Sequence, residues 1–195
     1  MAELWIDYAN SLHHDWKGDG EQDDRLQSSE WRAAFLQRQQ LVAPPIPPTV
    51  EELEDMTFFR SDLRRFAQEL AEGGDVSAAM IECMNARLQR SAVVRKMILH
   101  EASVQMELIP VNVSWENVLS EVASSFAVTL QDGLVSRIRI CGNSNCNWVF
   151  LDDTRNRSKK FCDDKLCGNL MKVRRFRERK KSDSHSFQNE QRKEF

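Results

Sequence analysis

The sequence predicts an α+β chain: a mostly helical N-terminal domain with a small β-hairpin, then a C-terminal four-cysteine module ending in a basic helix. Three observations carry the prediction. Apolar residues recur at helical spacing behind capping residues through much of 49–130. Four cysteines fall as Cys141-x4-Cys146, fifteen residues, then Cys162-x4-Cys167. The charge is divided along the chain. Residues 1–154 hold 13 Lys/Arg against 24 Asp/Glu, a formal −11, whereas 155–181 hold twelve Lys/Arg against three acids, a formal +9. The net charge of −3 over 195 residues therefore conceals a strongly polar chain. That length accommodates one ordinary domain plus a small module, giving expected boundaries at 1–136, 137–181 and a disordered tail at 182–195.

Taking the elements in order, residues 3–16 are apolar and aromatic, with Leu4, Trp5, Ile6 and Tyr8 expected on a helix. The polar stretch 17–30 reads as a loop, and Ser29 is the expected cap of a helix over 30–41. Residues 43–48 (APPIPP) exclude helix and predict an extended link. Thr49 and Glu52 match a capping box, followed by Leu53, Met56, Phe59, Leu63, Phe66 and Leu70 on one face and stopped by Gly73-Gly74. Asp75 is the expected cap of a helix with Val76, Met80, Cys83 and Met84 on its apolar side; Cys83 reads as a chemically idle core residue. Residues 97–110 alternate around a polar turn, as a hairpin does. Ser114 opens a helix carrying Trp115, Val118, Leu119, Val122, Phe126 and Leu130, ending near Gly133.

In the module, residues 137–140 and 148–150 read as two short strands flanking the first cysteine pair. The turn 142–145 (GNSN) is expected to use the positive φ angles such residues tolerate. Trp148, Phe150 and Phe161 are the expected core. A core that small implies that a metal supplies most of the stability. Two close cysteine pairs with a short insert suit one tetrahedral ion, a closed four-thiolate site, with zinc the expected occupant. Gly168 onward reads as a helix with Leu170, Val173 and Phe176 along one edge.

The stretch CGNSNCNWVFLDDTRNRSKKFCDDKLCGN resembles the zinc-finger signature of the bacterial CGNR-type proteins, stress-induced transcription regulators with an N-terminal ABATE domain. The matching residues are Cys141, Cys146, Trp148, Phe150, Asp152, Thr154, Arg155, Asn156, Phe161, Cys162, Cys167, Gly168 and Asn169. The opening Ile6-Asp7-Tyr8-Ala9-Asn10-Ser11 is similar to the family's L-D-F-x-N-T. The final Arg of the motif is Leu170 here, a departure that removes or relocates whatever contact that Arg makes. The resemblance implies a zinc-dependent, DNA-binding regulator.

Double-stranded DNA is accordingly the expected partner. Lys172, Arg174, Arg175, Arg177, Arg179, Lys180 and Lys181 on the helix, with Arg155, Arg157, Lys159 and Lys160 in the insert, are the expected phosphate contacts. The alternative is a protein-interaction module whose basic helix docks an acidic partner or this chain's own acidic N-terminal part; a homo-oligomer is a further expectation. Asp7 and Asn10, polar and three apart in an apolar helix, read as a buried structural pair or part of a ligand pocket. His13-His14-Asp15 reads as a solvated helix end or loop, and His100 as structural. No nucleophile elbow, glycine-rich phosphate loop or HExxH motif is present, so no enzyme is expected. The opening residues lack a basic start and an apolar run, so no export signal and a cytoplasmic location are expected. No stretch approaches the roughly 18 apolar residues of a membrane span.

Overall fold

In the computed structural model, residues 4–101 and 103–191 are described, without the side chains of His100 and 181–191. The first helix, α1 (Leu4–Ala9), is sandwiched between two long helices, α3 (Val50–Ala71) and α5 (Trp115–Gln131). Trp5 fixes it to α5: its indole donates to Thr129 Oγ1 at 2.8 Å and meets the Phe126 ring edge-on at 5.0 Å. Tyr8 fixes it to α3 by donating to the Met56 carbonyl at 2.7 Å. Burial of that hydroxyl, opposed in part by nearby Arg60, pushes its pKa well up. Phe59, Leu63, Phe66 and Val122 fill the space between these helices and are fully buried. A buried core of this size contributes most of the driving force for folding.

The helix starts follow their caps. Thr49 Oγ1 accepts from the Glu52 N–H at 3.2 Å and Glu52 returns the bond to Thr49 N–H at 2.8 Å. Ser114 and Asn117 do the same for α5. Two caps differ from expectation. Ser28, not Ser29, caps α2 (Ser29–Arg38), and Ser77, not Asp75, caps α4 (Ala78–Leu88). In each case the hydroxyl that accepts from the N–H three residues on is the one held in extended backbone.

Residues 12–24 are a further correction. Leu12–His14 (β1) and Gln22–Asp24 (β2) pair antiparallel, with the acidic stretch as their connection. His13 and His14 therefore lie on a strand. His14 is buried, and burial followed by the charge of Arg64 lowers its pKa; His13 meets the Trp148 ring edge-on. Arg60, with its side chain 4% exposed, anchors β2 through a two-pronged pair with Asp24 and a bond to Ser11 Oγ. Cys83 is half-buried against Asp62; burial, then the Asp62 charge, raises the thiol pKa.

Val93–His100 (β3) and Ser103–Pro110 (β4) form a hairpin four residues longer at its start than the expected 97–110. Ile138–Ile140 (β5) and Val149–Leu151 (β6) form the third antiparallel pair. Ile138 and Val149 are buried in the same core as Trp5 and Phe66, so the strands bearing the first cysteine pair pack on α3 and α1. The last helix, α6 (Asn169–Gln191), follows a π-helical turn at Asp164–Gly168. It runs through 182–191, the expected disordered tail, because extending a nucleated helix costs no new nucleation. Residues 192–195 of that tail lie outside the described residues.

Candidate metal centre

The cysteine sulfurs converge. Cys141, Cys146, Cys162 and Cys167 each offer Sγ, and all four atoms lie within 4.8 Å of one another. Cys146 and Cys162 are 3.7 Å apart, Cys162 and Cys167 3.9 Å. Zn–S bonds of about 2.3 Å at tetrahedral angles place sulfurs about 3.8 Å apart, so the spacing fits the ion. The electrostatics favour one. With thiols this close, hydrogen bonds from Cys146 and Cys162 pull Cys141 down to about 2, while the contact with Cys141 pushes Cys146 up to about 12 and the contacts with Cys141 and Cys146 push Cys162 higher still. One thiol ionises at its neighbours' expense, and only a bound cation allows all four to be thiolates.

The chain positions each ligand by backbone contacts. Cys141 leaves β5 with its N–H on the Trp148 carbonyl at 2.8 Å, and the turn closes through the Cys146 N–H on the Asn143 carbonyl at 2.8 Å. The turn 142–145 does not use positive φ; Asn147 (φ 54°) and Arg157 (φ 52°) do. Gly142 is required for closeness instead. Its N–H meets the Lys160 carbonyl at 2.8 Å, and a Cβ there would sit 3.0 Å from that oxygen and 3.4 Å from the Phe161 ring. Asp163 caps the turn that delivers Cys167, accepting from the N–H groups of Lys165 and Leu166. Buried Asp152 accepts from Thr154 N–H and Oγ1 and from the Lys159 N–H, which folds the insert back toward Cys162.

Several supporting residues had no signature in the sequence. Buried Asn143 donates to the Trp16 carbonyl at 3.0 Å and points the same amide at Cys167 Sγ, 3.6 Å away. Trp16 itself packs beside Trp148, Phe150 and Phe161, so the core of the module is not the expected three aromatics alone. Asn145 reaches the Gly18 carbonyl, and Gly20 adopts φ 88° against Asn145. Half-buried Arg64 donates to the carbonyls of Ala9 and Asn147. Burial, then Arg60, lowers its pKa, and the Cys146 thiolate partly restores it. The only foretaste in the sequence was the run of small polar residues at 143–145.

Asp7 and Asn10 do not bond each other. Asn10 is buried and clamps β6, donating to the Val149 carbonyl and accepting its N–H, both at 2.9 Å. Asp7 pairs with Arg38 at 3.1 Å and Gln39 at 2.9 Å. Both line a cavity of about 790 Å³ with Trp148, Arg137 and Cys162. Among the expected phosphate contacts, Arg155, Arg157 and Lys160 are exposed on the insert, and Lys172, Arg175, Arg177, Arg179 and Lys180 on α6. Some of these cations are engaged within the chain, Lys180 over the Phe176 ring among them. Lys159 pairs with Asp153 at 3.0 Å over the Phe150 ring, and half-buried Arg174 donates to the Lys17 carbonyl at 3.0 Å. Lys181 lies in α6 with its side chain outside the described residues. Leu170 is half-buried in the first turn of α6.

Among the described residues no helix is long and apolar enough to cross a membrane. No curated protein matches the chain significantly. Two family models do match. Residues 137–180 match the CGNR zinc finger, and residues 2–133 match ABATE, described as "putative stress-induced transcription regulator". With four thiolates at zinc spacing and both matches spanning nearly its whole length, the chain belongs to the ABATE family and carries a CGNR zinc finger that holds one structural zinc ion.

Proposed function

We propose that this protein is a transcription regulator that binds double-stranded DNA through α6 and the 155–160 insert, and that it works in the cytoplasm at the nucleoid. The observation that carries the reading is the row of exposed cations on the helix leaving the zinc knot: Lys172, Arg175, Arg177, Arg179 and Lys180. At 100° per residue Lys172, Arg175 and Arg179 share one side of α6, and Arg177 lies across the exposed Val173–Phe176 edge from them. A helix with cations along it fits the groove and phosphate geometry of a duplex. Zinc here is a fastener. Four thiolates leave it no open position, which supports a binding protein and not an enzyme.

Titrating the full zinc-loaded chain with random-sequence duplex at several salt concentrations tests this. Binding should weaken steeply with salt. Replacing Arg175 and Arg177 by Ala should reduce the log–log slope by about 0.9 for each phosphate that is no longer neutralised. A slope unchanged in the double variant would sink α6 as the DNA-binding surface. A second reading draws on Arg174: its bond to the 17–18 backbone brings α6 against the acidic β1–β2 connection. That bond supports an autoinhibitory docking of the basic helix, and Arg174→Ala would then tighten DNA binding instead of weakening it.

A further inference from the structure

The hairpin β3–β4 is the part of the chain that neither the core nor the zinc centre explains. Its register sets Arg95 opposite Leu108, Met97 opposite Met106 and Leu99 opposite Val104. Residues directly opposite share a face, so these six lie together on one side of the ribbon. That side is exposed: Met97 72%, Leu99 69%, Val104 66%, Met106 66% and Leu108 60%. The opposite side is mixed, with Val94 opposite Ile109, Lys96 opposite Glu107 and Ile98 opposite Gln105, and Ile98, Glu107 and Ile109 on it are half-buried. The chain thus partly covers the mixed face and leaves the apolar face bare. A two-stranded ribbon whose apolar face is left bare is marginal in water, and a contiguous apolar patch of this kind marks an interaction site.

We infer that this face is a dimerisation surface and that its occupant is a second copy of the same chain. Three arguments select that occupant. The five exposed side chains amount to roughly 600 Å² of apolar surface per protomer, and a pair would bury about 1,200 Å², at the lower end of what specific interfaces bury. The face is nearly free of charge, which suits homodimer contacts, the more apolar class of interface. Its single cation, Arg95, is compatible with a twofold axis. With the axis through the Met97–Met106 rung, each Arg95–Leu108 rung meets the partner's Leu99–Val104 rung. The two guanidinium groups then stand about 14 Å apart, four residues at about 3.4 Å, beyond a screening length of about 8 Å. The methionines at the centre are unbranched and adjust to self-packing.

This inference stands on the hairpin alone and does not depend on DNA binding. Sedimentation equilibrium of the zinc-loaded full chain, at concentrations up to about 100 µM, tests it. The expected result is a dimer for the native chain and for Gln105→Glu, which places a charge on the opposite face. Met97→Glu should weaken the dimer by at least about a hundredfold, with helical content and bound zinc unchanged. Val104→Thr preserves shape and strand propensity; it should weaken the dimer by about tenfold and guards against misfolding of the charged variant. A native chain that stays monomeric throughout, or variants that dimerise as tightly as the native chain, would overturn the inference.

Discussion

Replacing Asn10 by Ala should cost the whole molecule about 3 kcal/mol. Asn10 acts as a substitute strand: its amide matches both the N–H and the C=O of Val149, each at 2.9 Å, on the side of β6 turned toward α1. Asn10 is 6% exposed and Val149 1%, so water does not readily replace the missing partner. Each buried hydrogen bond contributes about 1 kcal/mol net, and a backbone group left without a partner costs a further 1–3 kcal/mol or so. With two bonds removed and partial relief through the adjoining cavity, about 3 kcal/mol is the expected loss. Urea unfolding in excess zinc, followed by tryptophan fluorescence, measures it directly as a shift in midpoint at constant slope. Asp7→Ala is the matched control. Its ion pair with Arg38 is largely solvated, with side chains 30% and 48% exposed, and should be worth less than about 1 kcal/mol. A loss below about 1 kcal/mol for Asn10→Ala, or equal losses for the two variants, would refute the clamp.

Asp24→Asn should destabilise by about 3 kcal/mol, because it leaves the Arg60 guanidinium buried without its counter-charge. Burial alone would raise the Asp24 carboxyl, but the hydrogen bonds and charge of Arg60 outweigh it and hold the pKa below the ordinary range. A depressed folded-state pKa gives stability that is full above the unfolded value near 4 and fades as pH falls through the folded value. Thermal melts of the two proteins should therefore differ at pH 6 and converge only below about pH 4. Gly142→Ala should weaken zinc binding by about tenfold, since the added methyl must displace the Lys160 carbonyl or the Phe161 ring. Competition against a chromogenic chelator reads that loss, and undiminished affinity would show that the turn has slack.

The sequence disclosed what short-range rules govern. The Thr49–Glu52 box, the apolar stripe of α3 and the paired cysteines each have a local signature, and each is where the pattern put it. The β1–β2 pair escaped because three-residue strands show no alternation, and its loop is held from 127 residues away by Asn143 and Asn145. Lys159 and Arg174 looked like any other cations in a basic run; only tertiary placement turns one onto Asp153 and the other onto a carbonyl. The strand at 148–150 was visible, but not that Val149 faces the helices while Phe150 faces the sulfurs. Asn10 was legible as a polar residue on an apolar helix, yet its partner lies 139 positions away.

The zinc knot is laced into the rest of the chain through Trp16, Asn10 and Arg64, and this changes what the metal does. An ion that fastened an independent finger would stabilise only that finger. Here the sulfurs, the β5–β6 ribbon and the helical core share walls, so the free energy of coordination is transmitted to residues near the opposite end of the sequence. By mass action, every tenfold rise in free zinc above the dissociation constant adds about 1.4 kcal/mol to the folded state. The population of the assembled protein thus follows the availability of the ion, and withdrawal of zinc loosens α1 and the β1–β2 pair along with the cysteine turns.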